Sequence, residues 1–337
     1  MTGRDDMDAG PLLDIRDLTL SFRTGGGLVR ALNGVNLTVG HRERVGIVGE
    51  SGSGKSVTAQ AVLGLVPAAE VTGEIRFAGE NLLAVPQERM RQVRGKEIGY
   101  IFQDPLSALD PVRSIGDQIS ETLRIRGVRK AEAMRRSIDL LGRVGVKNAK
   151  ERARDYPHQF SGGMRQRVMI AMALVAEPRL VIADEPTTAL DVRVQAQVLD
   201  LLLELAEERG LSVLFITHDL GVLSGFAERV VVMYAGRAME QCVTDELFYG
   251  SINPYTLGLL ESLPRIDGEV PRRLTTIGGQ PPSPAHPPSG CPFHPRCRYA
   301  IDVCAARVPT LLTPPNGSHP SACHRAQWLA EQPGVLR

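Results

Sequence analysis

The stretch Gly49-Glu50-Ser51-Gly52-Ser53-Gly54-Lys55-Ser56 constrains this chain more than any other. It matches G-x-x-x-x-G-K-[ST], follows the apolar run Val45-Gly46-Ile47-Val48 and leads into a helical pattern from Ser56 to Leu65. Strand, glycine loop and helix in that order make an anion cradle. Gly52 and Gly54 let the backbone turn its N–H groups inward onto phosphate oxygens. The helix that follows presents the positive end of its dipole. Lys55 has the reach for β- and γ-phosphates, and the Ser56 hydroxyl suits Mg²⁺. A chance match arises in roughly 1% of chains this long, and the flanking pattern lowers that further.

A phosphate loop alone does not choose among nucleotide chemistries. Leu180-Val181-Ile182-Ala183-Asp184-Glu185 adds an apolar strand ending in two carboxylates. Asp184 at the strand tip can hold the water shell of Mg²⁺, and Glu185 can polarise an attacking water. The plainer alternative is an acidic strand end capping the next helix.

The rest of the chain reads as α/β. Residues 12–22 alternate apolar and polar as a half-buried strand does, Gly25 to Gly27 turn, and a second strand runs through Leu32–Val39. Residues 114–146 read as helices with basic faces. Helix and strand then alternate from Met164 to Val232, the rhythm of a parallel sheet with crossover helices. No internal repeat is visible. After about residue 255 the composition changes: prolines crowd together farther on and the periodicity ends, which places a boundary near there. The expected organisation is a flexible N-terminus (1–11), a nucleotide-binding domain (12–255) and a C-terminal extension (256–337).

Net charge is +1, so no global field points to nucleic acid or an anionic membrane surface. The longest apolar stretch, Val168–Ala183, is broken by Glu177, Pro178 and Arg179 and cannot span a bilayer. The N-terminus has no apolar core of the signal-peptide kind, so the expected compartment is the cytoplasm.

At Phe160-Ser161-Gly162-Gly163-Met164-Arg165-Gln166-Arg167 the chain resembles the signature motif of ATP-binding cassette (ABC) proteins. Thr188-Ala189-Leu190-Asp191 resembles that family's D-loop, His218 its switch histidine and Gln103 its Q-loop glutamine. Phe22 stands where the family places an aromatic on adenine. The resemblance implies a RecA-like parallel core, an antiparallel strand layer and a helical subdomain near 104–160. It also implies that Ser161, Gly162, Gly163 and Asp191 face ATP held by a second cassette, and that Gln103 joins Ser56 and Asp184 around Mg²⁺. A helix N-terminus of small residues is physically an anion site. Met164 departs from the commonest signature, which has Gln there. Met cannot hydrogen-bond as an amide would, but the Ser-Gly-Gly anion site is intact.

A closer resemblance, to dipeptide, oligopeptide and nickel importers, lies in Ile101–Pro111, in Asn253-Pro254-Tyr255-Thr256 and in the cysteine-bearing tail. It implies a homologous partner ATPase, two integral membrane permeases docked on residues 104–127, and an extracytoplasmic binding protein. The place of work would be the cytoplasmic side of the cell inner membrane. Soluble cassette ATPases of DNA repair or the ribosome are the competing class. The chain has neither the long coiled coil of the first nor the second cassette of the other.

Cys291, Cys297, Cys304 and Cys323, spaced C-x5-C-x6-C-x18-C, crowd a proline-rich tail with little apolar material. Such a segment benefits from a metal cross-link. Four thiolates suit Zn²⁺ or an iron–sulfur cluster, and the gaps are wider than usual for zinc. With the importer resemblance, the expectation is a [4Fe–4S] cluster with zinc as alternative. Cys242 reads as a buried small side chain.

Overall fold

The computed structural model describes residues 10–67, 69–188, 190–263 and 276–332. Most of the expected flexible N-terminus (1–9), Ala189 of the Thr188–Asp191 motif, and parts of the expected C-terminal extension (264–275 and 333–337) lie outside the described residues. The strands, in chain order, are β1 (Leu13–Thr24), β2 (Gly27–Val39), β3 (Arg44–Val48), β4 (Ala69–Phe77), β5 (Glu80–Asn81), β6 (Ile98–Ile101), β7 (Leu180–Asp184), β8 (Ser212–Thr217), β9 (Arg229–Tyr234) and β10 (Arg237–Val243). The chain divides into two compact units.

The first unit is made chiefly of Val39–Glu43 and Ala84–Ile216. Its strands β6, β7 and β8 run parallel, with Ile98 opposite Leu180 and Leu180 opposite Ser212. Every residue of β7 and β8 is buried, which is why both read as unbroken apolar runs rather than alternating ones. The helix Ile115–Arg124 buries Ile115, Ile119 and Leu123, one face at i, i+4 spacing, and the Ser114 side chain caps it by accepting from Asp117 N. It packs against the helices Lys130–Arg143 and Gly162–Leu174.

The second unit is made of Leu13–Thr38, Arg44–Leu83 and the chain from Thr217 onward. It holds an antiparallel sheet in the order β2-β1-β4-β5. Its other strands are mixed: β9 runs parallel to β3 and antiparallel to β10. The alternation of β1 slips at a bulge between Arg16 and Thr19, where Asp17 takes a positive φ of 47°.

Among the described residues the expected small, irregular cysteine-rich domain is not seen. The tail is instead knitted into the second unit. Ser321 bridges both Glu240 and Leu312, Ala322 N donates to Met239 O at 2.7 Å, and Gln241 N donates to Pro320 O at 3.1 Å. Ala326 and Leu329 cluster with Ile252 and Leu257, beside Tyr299 and Cys323. The segment does not need a core of its own, because it shares one with the helix Pro254–Glu261.

Candidate functional site

In the second unit, β3 runs into the glycine loop, and the helix Lys55–Val62 follows with Gly54 at its N-cap. Gly49 has φ 156°, and a Cβ there would lie 2.1 Å from Met233 O, so no other residue fits. Gly52 has φ 78°, and a Cβ would meet nothing within 4 Å; here glycine serves conformation rather than space. Lys55 is buried, and its Nζ reaches back to donate to Gly49 O at 2.8 Å and Glu50 O at 3.1 Å. Ser53 Oγ is buried and has no hydrogen-bond partner among the described residues. A buried, unpartnered hydroxyl in a glycine loop of this kind fits a phosphate ligand. The loop is braced by Gly236 N on Ser53 O and Thr58 Oγ1 on Gly54 O, both at 2.9 Å.

Ser51 is exposed and Ser56 half-buried. Phe22 lies half-buried on β1 opposite Ala69. His218 is exposed just after β8, and the next residue, Asp219, caps the helix Leu220–Phe226 by accepting from Gly221 N.

In the first unit, β7 delivers Asp184 buried at its tip, where Oδ2 accepts from Tyr100 Oη at 2.8 Å. Glu185 follows with a positive φ of 46°, a conformation a non-glycine residue holds only at a cost of order 1–3 kcal/mol. Its N–H donates to Ile216 O, and its carboxylate accepts from Gln103 Nε2 and Thr188 Oγ1, each at 3.0 Å. A strained backbone and two side-chain donors thus aim one carboxylate.

Also in this unit, Ser161 caps the helix Gly162–Leu174, accepting from Met164 N at 3.4 Å. Ser161 and Gly162 are exposed. A Cβ on Gly163 would come 2.6 Å from Val194 Cγ1, so that glycine is also required by packing within the chain. Asp191 is exposed and caps the helix Val192–Arg209. The sequence reading found neither the donors Tyr100 and Thr188 nor the Val194 contact. Tyr100 carried one signal: it sits on the strand leading to Gln103.

The iron–sulfur expectation, with its zinc alternative, is overturned. Among the described residues no group of three or more His, Cys, Asp or Glu side chains is placed to hold a metal ion. Cys291, Cys297, Cys304 and Cys323 are free thiols, as is Cys242. Burial pushes the thiol of Cys291 up to about 11 and that of Cys323 up to about 12, and raises Cys297 as well, which favours S–H over the thiolate a metal needs.

The fold and the loop define a P-loop ATPase of the cassette type. The ABC transporter family model matches residues 32–188, and that of the oligopeptide/dipeptide transporter C-terminal region matches 239–304. The chain is 48% identical over 305 residues to the oligopeptide transport ATP-binding protein OppD of Haemophilus influenzae, covering 90% of this chain and 94% of that protein. It is 48% identical over 322 residues to OppD of Mycobacterium tuberculosis, covering 95% of this chain and 52% of that longer protein. Among solved structures, the dimeric post-hydrolysis state of the ATP-binding cassette MJ0796 bound to ADP and Pi matches with TM-score 0.63 and 29% identity. That match covers 69% of this chain and 98% of the other. The chain belongs to the ABC transporter ATP-binding subunits, in the branch that carries the oligopeptide/dipeptide transporter C-terminal region. Its activity is ATP binding and hydrolysis.

Proposed function

We propose that this chain powers peptide import, closing on ATP against a homologous partner cassette and reopening after hydrolysis. The relatives named for oligopeptide transport and the dimeric MJ0796 cassette support that reading. The loop Gly49–Ser56 binds the phosphates, with Lys55 on the β- and γ-groups and Phe22 against adenine. Ser56, Gln103 and Asp184 would hold Mg²⁺, whose bound charge offsets that developing on the phosphates. Glu185 polarises the attacking water, and His218 contacts the γ-phosphate. Ser161, Gly162, Gly163 and Asp191 serve the partner's ATP.

No helix among the described residues is long and apolar enough to cross a membrane. Passage of substrate would fall to two permeases fed by an extracytoplasmic binding protein, with this chain peripheral on the cytoplasmic side of the inner membrane. Leu106, Val112 and Ile125 are exposed along the segment proposed to dock them.

The observation that carries the catalytic assignment is Glu185 itself, held at φ 46° with its carboxylate fixed by Gln103 and Thr188. Glu185→Gln should keep ATP binding and lose about 10²-fold or more in turnover, the usual scale for a general base. Wild-type turnover by that variant in the assembled transporter would sink the assignment.

A further inference from the structure

Glu50 is the second residue of the phosphate loop, and it brings a negative charge into a cradle built for anions. The answer to that charge comes from the C-terminal extension. Arg296 Nη1 donates to Glu50 Oε2 at 2.6 Å and Nη2 donates to Oε1 at 3.0 Å, a bidentate pair 246 residues apart in sequence. The Arg296 side chain is 5% exposed and that of Glu50 24%. The guanidinium is itself held in place: Nη1 also donates to Tyr234 Oη at 3.1 Å, Nη2 to Ile277 O at 3.2 Å and Nε to Gly278 O at 2.8 Å. On the main-chain side, Glu50 N donates to Tyr255 Oη at 2.8 Å. The rings of Tyr234, Tyr255 and Phe293 pack together with centroids 4.6–5.4 Å apart, which fixes both hydroxyls. All these residues belong to the second unit.

We infer that Arg296 is a positioning residue for nucleotide binding: it neutralises and orients Glu50, so that the loop's affinity for polyphosphate depends on the C-terminal extension. The inference rests on the reading of Gly49–Ser56 as the ATP site. A carboxylate stripped of its buried partner would repel the triphosphate and be free to swing across the loop. An ion pair that only supported the fold would make a different prediction, because losing either partner would then do the same damage. In the positioning role, losing Arg296 weakens binding and losing Glu50 does not.

The experiment titrates the full-length chain and its variants with Mg²⁺ and fluorescent N-methylanthraniloyl ATP or ADP, and follows thermal melting in parallel. Arg296→Gln is expected to weaken ATP binding about five- to tenfold, and ADP binding less, because ADP carries less charge. Glu50→Gln is expected to hold or tighten binding, and Glu50→Gln with Arg296→Gln to return to within about twofold of wild type. Arg296→Lys, which keeps the charge and loses the fork, should fall between wild type and Arg296→Gln. Equal losses of affinity in the two single variants, or a double variant as weak as Arg296→Gln, would overturn the inference. Should Arg296→Gln fail to fold, Glu50→Gln decides alone: weakened binding there overturns it, and held or tightened binding supports it. Lys55→Ala, run beside them, separates the two levels. Its retained binding would sink the ATP-site reading, whereas its loss of binding with an unaffected Arg296→Gln would sink only the inference.

Discussion

His319→Ala tests how the C-terminal extension is held. Glu240 on β10 is fully buried, and its carboxylate accepts from Ile252 N at 2.7 Å, Ser251 Oγ at 2.8 Å and His319 Nε2 at 2.8 Å. The His319 side chain is 3% exposed, and its Nδ1 faces Ser318 Oγ at 3.0 Å. Removing the imidazole takes one of three hydrogen bonds from a buried carboxylate and leaves a void. A hydrogen bond to a charged group is worth about 1.5–3 kcal/mol, so the loss should be about 2–3 kcal/mol. At about 2.1 cal/mol/K per residue, a chain of this length has an unfolding entropy of about 0.7 kcal/mol/K, and the melting temperature should fall by about 3–4 °C. Differential scanning calorimetry measures this. Arg135→Ala, which removes a surface pair whose arginine side chain is 63% exposed, is the control and should move it by less than about 1 °C. Trypsin should also cut after Arg307 and Arg325 faster in His319→Ala. A variant that melts with the control and is cut no faster would show that the Glu240 pin does not hold the tail.

Gly49→Ala puts a Cβ 2.1 Å from Met233 O and should abolish nucleotide binding, read by the same fluorescent titration. Gly163→Ala should lower ATPase activity through its 2.6 Å clash with Val194, and Val194→Ala in the same chain should restore it; activity that stays low with normal melting would place the fault at the phosphate instead. Tyr100→Phe removes the donor to Asp184 and should reduce kcat several-fold, about 1 kcal/mol, while nucleotide affinity without Mg²⁺ is unchanged. The raised thiols fix a pH dependence as well. Protonated Cys291 and Cys323 contribute stability that is complete below the ordinary thiol value of 9.0 and is lost as pH rises toward about 11 and about 12. Melting should therefore drop above pH 9, and Cys291→Ala with Cys323→Ala should flatten that drop.

The parts of the site that were legible in sequence are those whose chemistry is local. The loop Gly49–Ser56 carries its own turn, dipole and cation within eight residues, and β7 announces itself as an apolar run that stops at two carboxylates. What could not be read are side chains brought in from afar. Nothing in the neighbourhood of Arg296 or Tyr255 speaks of Glu50, and nothing near Val194 says that it forbids a Cβ on Gly163. Strand β4 was missed because its burial does not alternate cleanly, and the early start of β2 because its first residues are exposed.

The cysteine reading failed for a related reason. It assumed that a proline-rich segment must supply its own core or be stapled by a metal. Periodicity is counted within a window, and within that window the tail is indeed poor in apolar residues. But Ile252 lies just before the extension and Leu257 at its very start, on the helix Pro254–Glu261, and Ala326 and Leu329 need only reach them. Glu240, far upstream on β10, supplies the polar anchor for His319. Cysteine spacing limits how far apart four sulfurs can be; it says nothing of where the four side chains point. Once the tail's fold is secured by a shared core and a buried carboxylate, thiols in it are small side chains, buried or half-buried, and the burial that raises Cys291 and Cys323 toward S–H works against the ionised form a metal would require. The extension's closest tie to the chemistry is then a charge, Arg296, set against the one acidic residue of the phosphate loop.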